Sequence, residues 1–198
     1  MMIKNNLFLI LFSTKENGKW DSWKKFASKN NYFFSTLKDP FERPIIRGLL
    51  QDKPVSIEAV YEGEQGKLEK EISLKIKSPI HNPKDAYFLV QDKKAHKSQS
   101  GIFRKSLHGI CENSELEEKF FIKSNSERLP IQILKNKTLV NELISQNNFS
   151  IEILNYELIL TSYTLQEINK EFIELLKLFY SFLNTFEEIS LEEVINRK

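Results

Sequence analysis

The chain has 198 residues, 40% hydrophobic and 28% charged, with 15 Phe, which is enough to bury a core without a disulfide or metal staple and excludes disorder over most of its length. Its 29 basic and 27 acidic residues leave a formal charge of +2, so no global field steers it to nucleic acid or an anionic membrane, and an electrostatic partner must be met by a local patch. Cys111 is the only cysteine, which excludes an intrachain disulfide and points to a reducing, cytoplasmic setting.

The first apolar run, Leu7 to Phe12, follows Lys4 and so superficially looks like a signal peptide. It is far short of the roughly 20 residues that span a bilayer, and no small-residue cleavage site follows. It reads as a buried strand, with an interfacial anchor or truncated membrane segment as the first alternative and a signal as the second. Asp21 can cap a helix carrying Trp20, Trp23, Phe26 and Ala27 on one face, and Asn30-Asn31 can end it because Asn tolerates the left-handed conformation. Tyr32-Phe33-Phe34 enters an extended segment, and Pro40 and Pro44 postpone the next regular element to Ile45.

Ile45–Leu50 and Val55–Tyr61, joined by a turn through Gln51-Asp52-Lys53-Pro54, read as a hairpin, since Val55, Ile57, Ala59 and Tyr61 alternate with more polar neighbours. Leu68 to Lys77 alternates most cleanly, with Leu68, Ile72, Leu74 and Ile76 on one face and charged or polar residues on the other. Residues 78–115 are irregular, with a short strand at Tyr87–Val90 and a polar loop from Gln91 to Gly101. Short strands are expected at Lys119–Lys123 and Ile131–Leu134. Asn136 can cap a helix bearing Leu139, Val140, Leu143 and Ile144 that ends at Asn147-Asn148, and Ser150–Thr161 reads as a hairpin about Asn155-Tyr156. Thr164-Leu165-Gln166-Glu167 is a capping box for the longest helix, and Ser190-Leu191-Glu192-Glu193 is a second one for a short terminal helix.

Phe26-Ala27-Ser28-Lys29-Asn30-Asn31-Tyr32 echoes Leu143-Ile144-Ser145-Gln146-Asn147-Asn148-Phe149. The echo raises an internal duplication into halves of about 14–115 and 116–198, and a coincidence of helix-end chemistry explains it about as well. The expected organisation is a single domain over 1–198. Its fold class is α+β: antiparallel strands in one or two sheets, covered on one face by helices near 20–30, 137–146 and 165–187. Phe172 and Phe179 are placed in the core.

The order Trp23…Phe26-Ala27, Gly48…Pro54-Val55, a long alternating strand, the acidic Glu115-Leu116-Glu117-Glu118-Lys119-Phe120, and a final hairpin with a long helix resembles uncharacterised prokaryotic α+β domains. The resemblance spans most of the chain and implies a fold and no assigned activity. Such domains often sit behind an N-terminal membrane segment, which keeps the anchor reading of residues 7–12 open.

Chemistry-bearing motifs are sparse. No phosphate loop, dinucleotide fingerprint, nucleophile elbow or paired-His metalloprotease motif occurs in the sequence. His108 and Cys111 are close enough to share a metal or form a thiol–base pair, but a structural zinc wants four ligands, which would recruit His81 and His96. From Lys77 to His108 the chain is basic, with Lys84, Lys93, Lys94, Lys97, Arg104 and Lys105 interleaved with Tyr87, Phe88 and Phe103. That composition suits single-stranded nucleic acid, an acidic protein or an anionic surface. Lys84, Lys93, Lys94, Lys97, Phe103, Arg104 and Lys105 are therefore the candidate binding residues. The bland alternative is a solvated loop beside core aromatics. The long helix is apolar beyond one stripe, which means deep burial or an interface such as a homodimer.

The expected function is a non-catalytic protein-interaction module, with a protein partner or a homodimer, near a membrane if the anchor reading holds. The alternatives are a nucleic-acid or anionic-surface binder through residues 77–108, and a thiol or metal enzyme at His108 and Cys111. No catalytic residue, metal or cofactor is assigned.

Overall fold

The computed structural model describes residues 20–37, 43–62, 71–82, 85–95, 114–163 and 168–195. In chain order its elements are α1 (Asp21–Lys29), β1 (Phe33–Leu37), β2 (Arg43–Leu50), β3 (Lys53–Glu62), β4 (Glu71–Pro79) and β5 (Phe88–Asp92). They continue with α2 (Ser114–Lys119), β6 (Phe120–Ser124), α3 (Arg128–Leu134), α4 (Lys137–Ser145), β7 (Phe149–Leu154), β8 (Glu157–Ser162) and α5 (Lys170–Ile195). The strands form one eight-stranded antiparallel sheet in the order β1-β2-β3-β4-β8-β7-β5-β6. The fold is α+β, with a long C-terminal helix, and strands from both sides of residue 115 share the sheet.

Register explains why the sheet holds one helix layer. Phe34, Ile46, Ile57, Ile76, Leu160, Ile151, Val90 and Ile122 lie opposite one another in turn, so a single apolar row crosses all eight strands. Side chains alternate between faces along a strand, so residues two apart in each strand join this row on the same side. Against it pack Trp23 and Phe26 of α1, Leu139 and Leu143 of α4, and Phe172, Phe179 and Phe182 of α5, all buried. Phe182 stacks on Phe88 at 5.6 Å between ring centres, and Phe172 meets Phe26 edge to face at 5.3 Å. The breadth of the apolar surface on α5 is accounted for inside the chain, since Ile173, Leu178 and Phe186 are buried too.

The β2–β3 turn needs left-handed backbone at both central residues, and Gln51 and Asp52 have φ of 49° and 69°. Lys53 and Pro54 therefore belong to the strand rather than the turn. In a two-residue hairpin the flanking pair, Leu50 and Lys53, is hydrogen-bonded, so Leu49 and Pro54 form a non-bonded pair and Pro54 sacrifices no ladder bond. The same parity aims the imide nitrogen of Pro44 at β3, and the β2–β3 ladder stops one residue earlier at Ile45 and Glu58. Pro44 thus sits inside β2 instead of delaying it. Gly48 is required by a close approach: a Cβ there would lie 2.1 Å from the Tyr32 ring.

Several expectations need correction. Ile131–Leu134 is part of helix α3 and not a strand, because Leu129, Pro130 and Ile133 are buried at helical spacing and a proline is tolerated in a first turn. The acidic segment 114–119 is itself a helix, α2. Trp20, with φ of 70°, occupies the N-cap of α1, which has no side-chain cap; Asp21 lies in the first turn. Asn169 caps α5 through its Oδ1, which accepts from the Phe172 N–H at 2.9 Å, so the helix begins at Lys170; Thr164–Glu167 lies outside the described residues. Ser190–Glu193 opens no new helix, because no Pro or Gly interrupts α5 before Ile195.

The echoed Asn-Asn pairs both carry left-handed backbone, at Asn31 (φ 56°) and Asn148 (φ 54°). The two helix ends nevertheless close differently. Tyr32 N–H reaches Ala27 O at 2.8 Å and Asn31 N–H reaches Ser28 O at 3.4 Å, the paired bonds of a Schellman motif. Helix α4 ends one residue earlier in the echo, at an extended Gln146, and Asn148 N–H goes to the Asp92 carboxylate instead.

Candidate functional site

Of the seven candidate binding residues, Lys93 and Lys94 are described; Lys84, Lys97, Phe103, Arg104 and Lys105 lie outside the described residues, as do His96, His108 and Cys111. Lys93 is half-buried. Its ammonium donates to Glu117 O at 2.5 Å, in the last turn of α2, and lies 5.3 Å from the centre of the Phe121 ring. A cation at the negative end of a helix satisfies an orphan carbonyl and the helix dipole together. Lys119 does the same for α4, donating to Ile144 O. Its pKa is lowered, chiefly by burial, with nearby Asp92 opposing the shift. Lys77, which opens the basic segment, is ion-paired with Glu58. Lys94 is exposed. Lys93 and Lys77 are thus each engaged within the chain.

Beneath them Asp92 is fully buried on the helix-facing side of β5. One carboxylate oxygen accepts from Lys94 N–H at 2.8 Å and the other from Asn148 N–H at 2.7 Å. These two amide donors tie the end of β5 to the α4–β7 turn. The corner is structural, and its signal in the sequence was faint because the partners are 56 residues apart.

On the face away from the helices, Ser35, Ile45, Glu58, Lys75, Thr161, Ser150, Gln91 and Phe121 follow one another across the strands. The row is mostly polar and internally bonded. Tyr163 Oη lies 3.0 Å from Ser150 Oγ and accepts from Gln91 Nε2 at 3.5 Å. On β7, the half-buried Glu152 has a raised pKa because of burial, which Lys75 only partly offsets. Tyr87 is raised by burial and then by Glu152. Among the described residues no group of three or more His, Cys, Asp or Glu side chains could hold a metal ion, and His81 is exposed.

The two edges of the sheet differ. At one end β6 carries Lys123 and has α2 and α3 against it, as β1 at the other end has α1. At the other, β1 is Phe33-Phe34-Ser35-Thr36-Leu37, without a charge or a proline. Phe33 is 66% exposed, and Leu49, on the same face of neighbouring β2, is 60% exposed. The ladder parity that makes Ile45 and Arg47 hydrogen-bond Ser35 and Phe33 leaves the N–H and C=O of Phe34 and Thr36 pointing outward from the sheet. Among the described residues nothing pairs with that side of β1. The sequence already showed an uncharged, aromatic entry into an extended segment here; that it is an edge strand required the strand order.

Among the described residues no helix is long and apolar enough to cross a membrane. No family model, curated protein or solved structure matches the chain.

Proposed function

We propose that the protein is a non-catalytic interaction module of the cytoplasm that engages a protein partner through the β1 end of its sheet. The observation that carries this reading is the outer side of β1, which no described strand pairs, flanked by exposed Phe33 and Leu49. Natural edges are usually blunted with charge, proline, a bulge or a covering element, because unpaired amides and carbonyls are a template for another strand. An edge strand without charge or proline is suited to strand addition, in which main-chain bonds give affinity and alternate side chains give selectivity. The single cysteine supports the reducing compartment.

The test is native affinity purification from the source cell at low salt, with and without nuclease, using the wild-type chain and a Phe33→Asp, Leu49→Asp variant. A stoichiometric protein that survives nuclease and is lost with the variant is the expected result. Recovery that depends on nucleic acid would transfer the function to the basic segment 77–108, and recovery unaffected by the variant would remove the β1 end as the surface.

A further inference from the structure

We infer that the partner for the β1 edge is a second copy of this chain, paired antiparallel along β1 about a two-fold axis through Ser35. The inference rests on the interaction reading and names its partner. An isologous interface requires a surface complementary to itself, and β1 meets that requirement in sequence, in charge and in hydrogen-bond parity.

The parity comes first. Phe34 and Thr36 have their amides and carbonyls directed outward, while Ser35 directs its own toward β2. Placing Ser35 opposite its copy sets Phe34 opposite Thr36 on both sides of the axis. Those are the residues whose outward backbone groups no described strand pairs, so they can exchange N–H···O bonds, and Ser35 falls on a non-hydrogen-bonded pair as the alternation demands. A shift of one residue would set an outward-directed residue opposite an inward-directed one and break the ladder.

The side chains agree with this register. On the open face Phe33 meets Leu37 of the second copy, an aromatic–aliphatic pair, and the two serines meet at the axis. On the helix face Phe34 meets Thr36. No charged residue is brought opposite another, because β1 has none. The contact joins two eight-stranded sheets into one and extends the apolar row beyond Phe34, which is otherwise its half-buried last member.

Three full-length proteins test this: wild type, Ser35→Lys, and Ser35→Cys in a Cys111→Ser background. Non-hydrogen-bonded antiparallel pairs have Cα atoms about 4.5 Å apart, within the roughly 4.4–6.8 Å that a disulfide spans. The wild type is expected to sediment as a dimer at about 100 μM, and Ser35→Lys, which sets like charges opposite each other, to weaken the dimer at least about tenfold. Ser35→Cys is expected to form a covalent dimer under mild oxidation. Its side chain and that of Ser35→Lys face away from the helix layer, and circular dichroism verifies that both variants fold. A wild-type monomer at that concentration, a dimer that Ser35→Lys leaves unchanged, or a Ser35→Cys variant that stays monomeric overturns the inference. A wild-type monomer that still captures a nuclease-resistant protein through Phe33 and Leu49 sinks the second copy and leaves the interaction reading standing.

Discussion

On the helix side of the sheet, one row reads Phe34, Ile46, Ile57, Ile76, Leu160, Ile151, Val90, Ile122; on the other side, the next row reads Ser35, Ile45, Glu58, Lys75, Thr161, Ser150, Gln91, Phe121. The same eight strands supply both, so the difference owes nothing to strand propensity. It reflects what each face meets. The first row is buried against helices and gains from every apolar atom removed from water. The second must satisfy its polar groups among themselves, and does so through Tyr163, Ser150 and Gln91 and through the Lys77–Glu58 pair. Substitutions should therefore cost most on the helix face, where the large apolar side chains are fully buried. The opposite row has buried members too, Ile45, Gln91, Ser150 and Thr161, and a cost there follows from lost hydrogen bonds more than from lost apolar packing.

The largest effect is expected from Phe179→Ala. Phe179 is fully buried in α5, and removing its ring should cost about 3–5 kcal/mol, the transfer term plus a cavity. Chemical denaturation checks this, and an unchanged midpoint would remove α5 from the centre of the core. Asp92→Ala tests the exception to the rule, a charge on the apolar face. It strands the amides of Lys94 and Asn148, for an expected loss of about 2–4 kcal/mol. A loss near zero would mean that the corner rearranges without its carboxylate. Gly48→Ala comes next. The new Cβ would collide with the Tyr32 ring, which itself packs on Phe26 at 5.8 Å, and overpacking of this kind costs about 1–3 kcal/mol.

These positions also mark how far the sequence could be read. Val55, Ile57 and Ala59 alternate, Asn136 precedes a helical apolar stripe, and Asn155 sits between two short strands; each signal is local, and each element stands where its residues predict it. The side chain of Asn136 accepts from Leu139 N–H, as its place before that stripe implies. Ile131 and Ile133 misled because β-branched residues two apart mimic a strand, whereas the burial of Leu129 and Ile133 reveals the helical repeat. Strand order lay out of reach. The β4–β8 pairing joins Leu74 to Ser162, 88 residues further along the chain, and no local residue choice specifies it. For that reason Phe33 could be recognised as part of an extended segment but not as the flank of an open edge. The basic segment shows the same limit in another way: composition counts lysines, whereas the long-range folding of α2 beside β5 turns Lys93 toward a helix end.

The smallest expected effect has the opposite sign and sharpens the contrast most. Glu152 lies half-buried on the face away from the helices, and burial raises its pKa more than Lys75 lowers it. The folded chain therefore holds this proton to higher pH than the unfolded chain does. Between the ordinary glutamate range and the raised value the folded state binds more protons, so stability falls as pH rises through that window and stays reduced above it. Glu152→Gln removes the cost of burying the charge. At pH near 8 it should raise the melting temperature by roughly one to three degrees, and below about pH 3, where the wild-type carboxyl is protonated in both states, the two proteins should melt together. A melting temperature lowered at pH 8 would mean that attraction to Lys75 outweighs burial, and the polar row would then be an ionic network that holds the sheet together rather than a face that merely tolerates its charges.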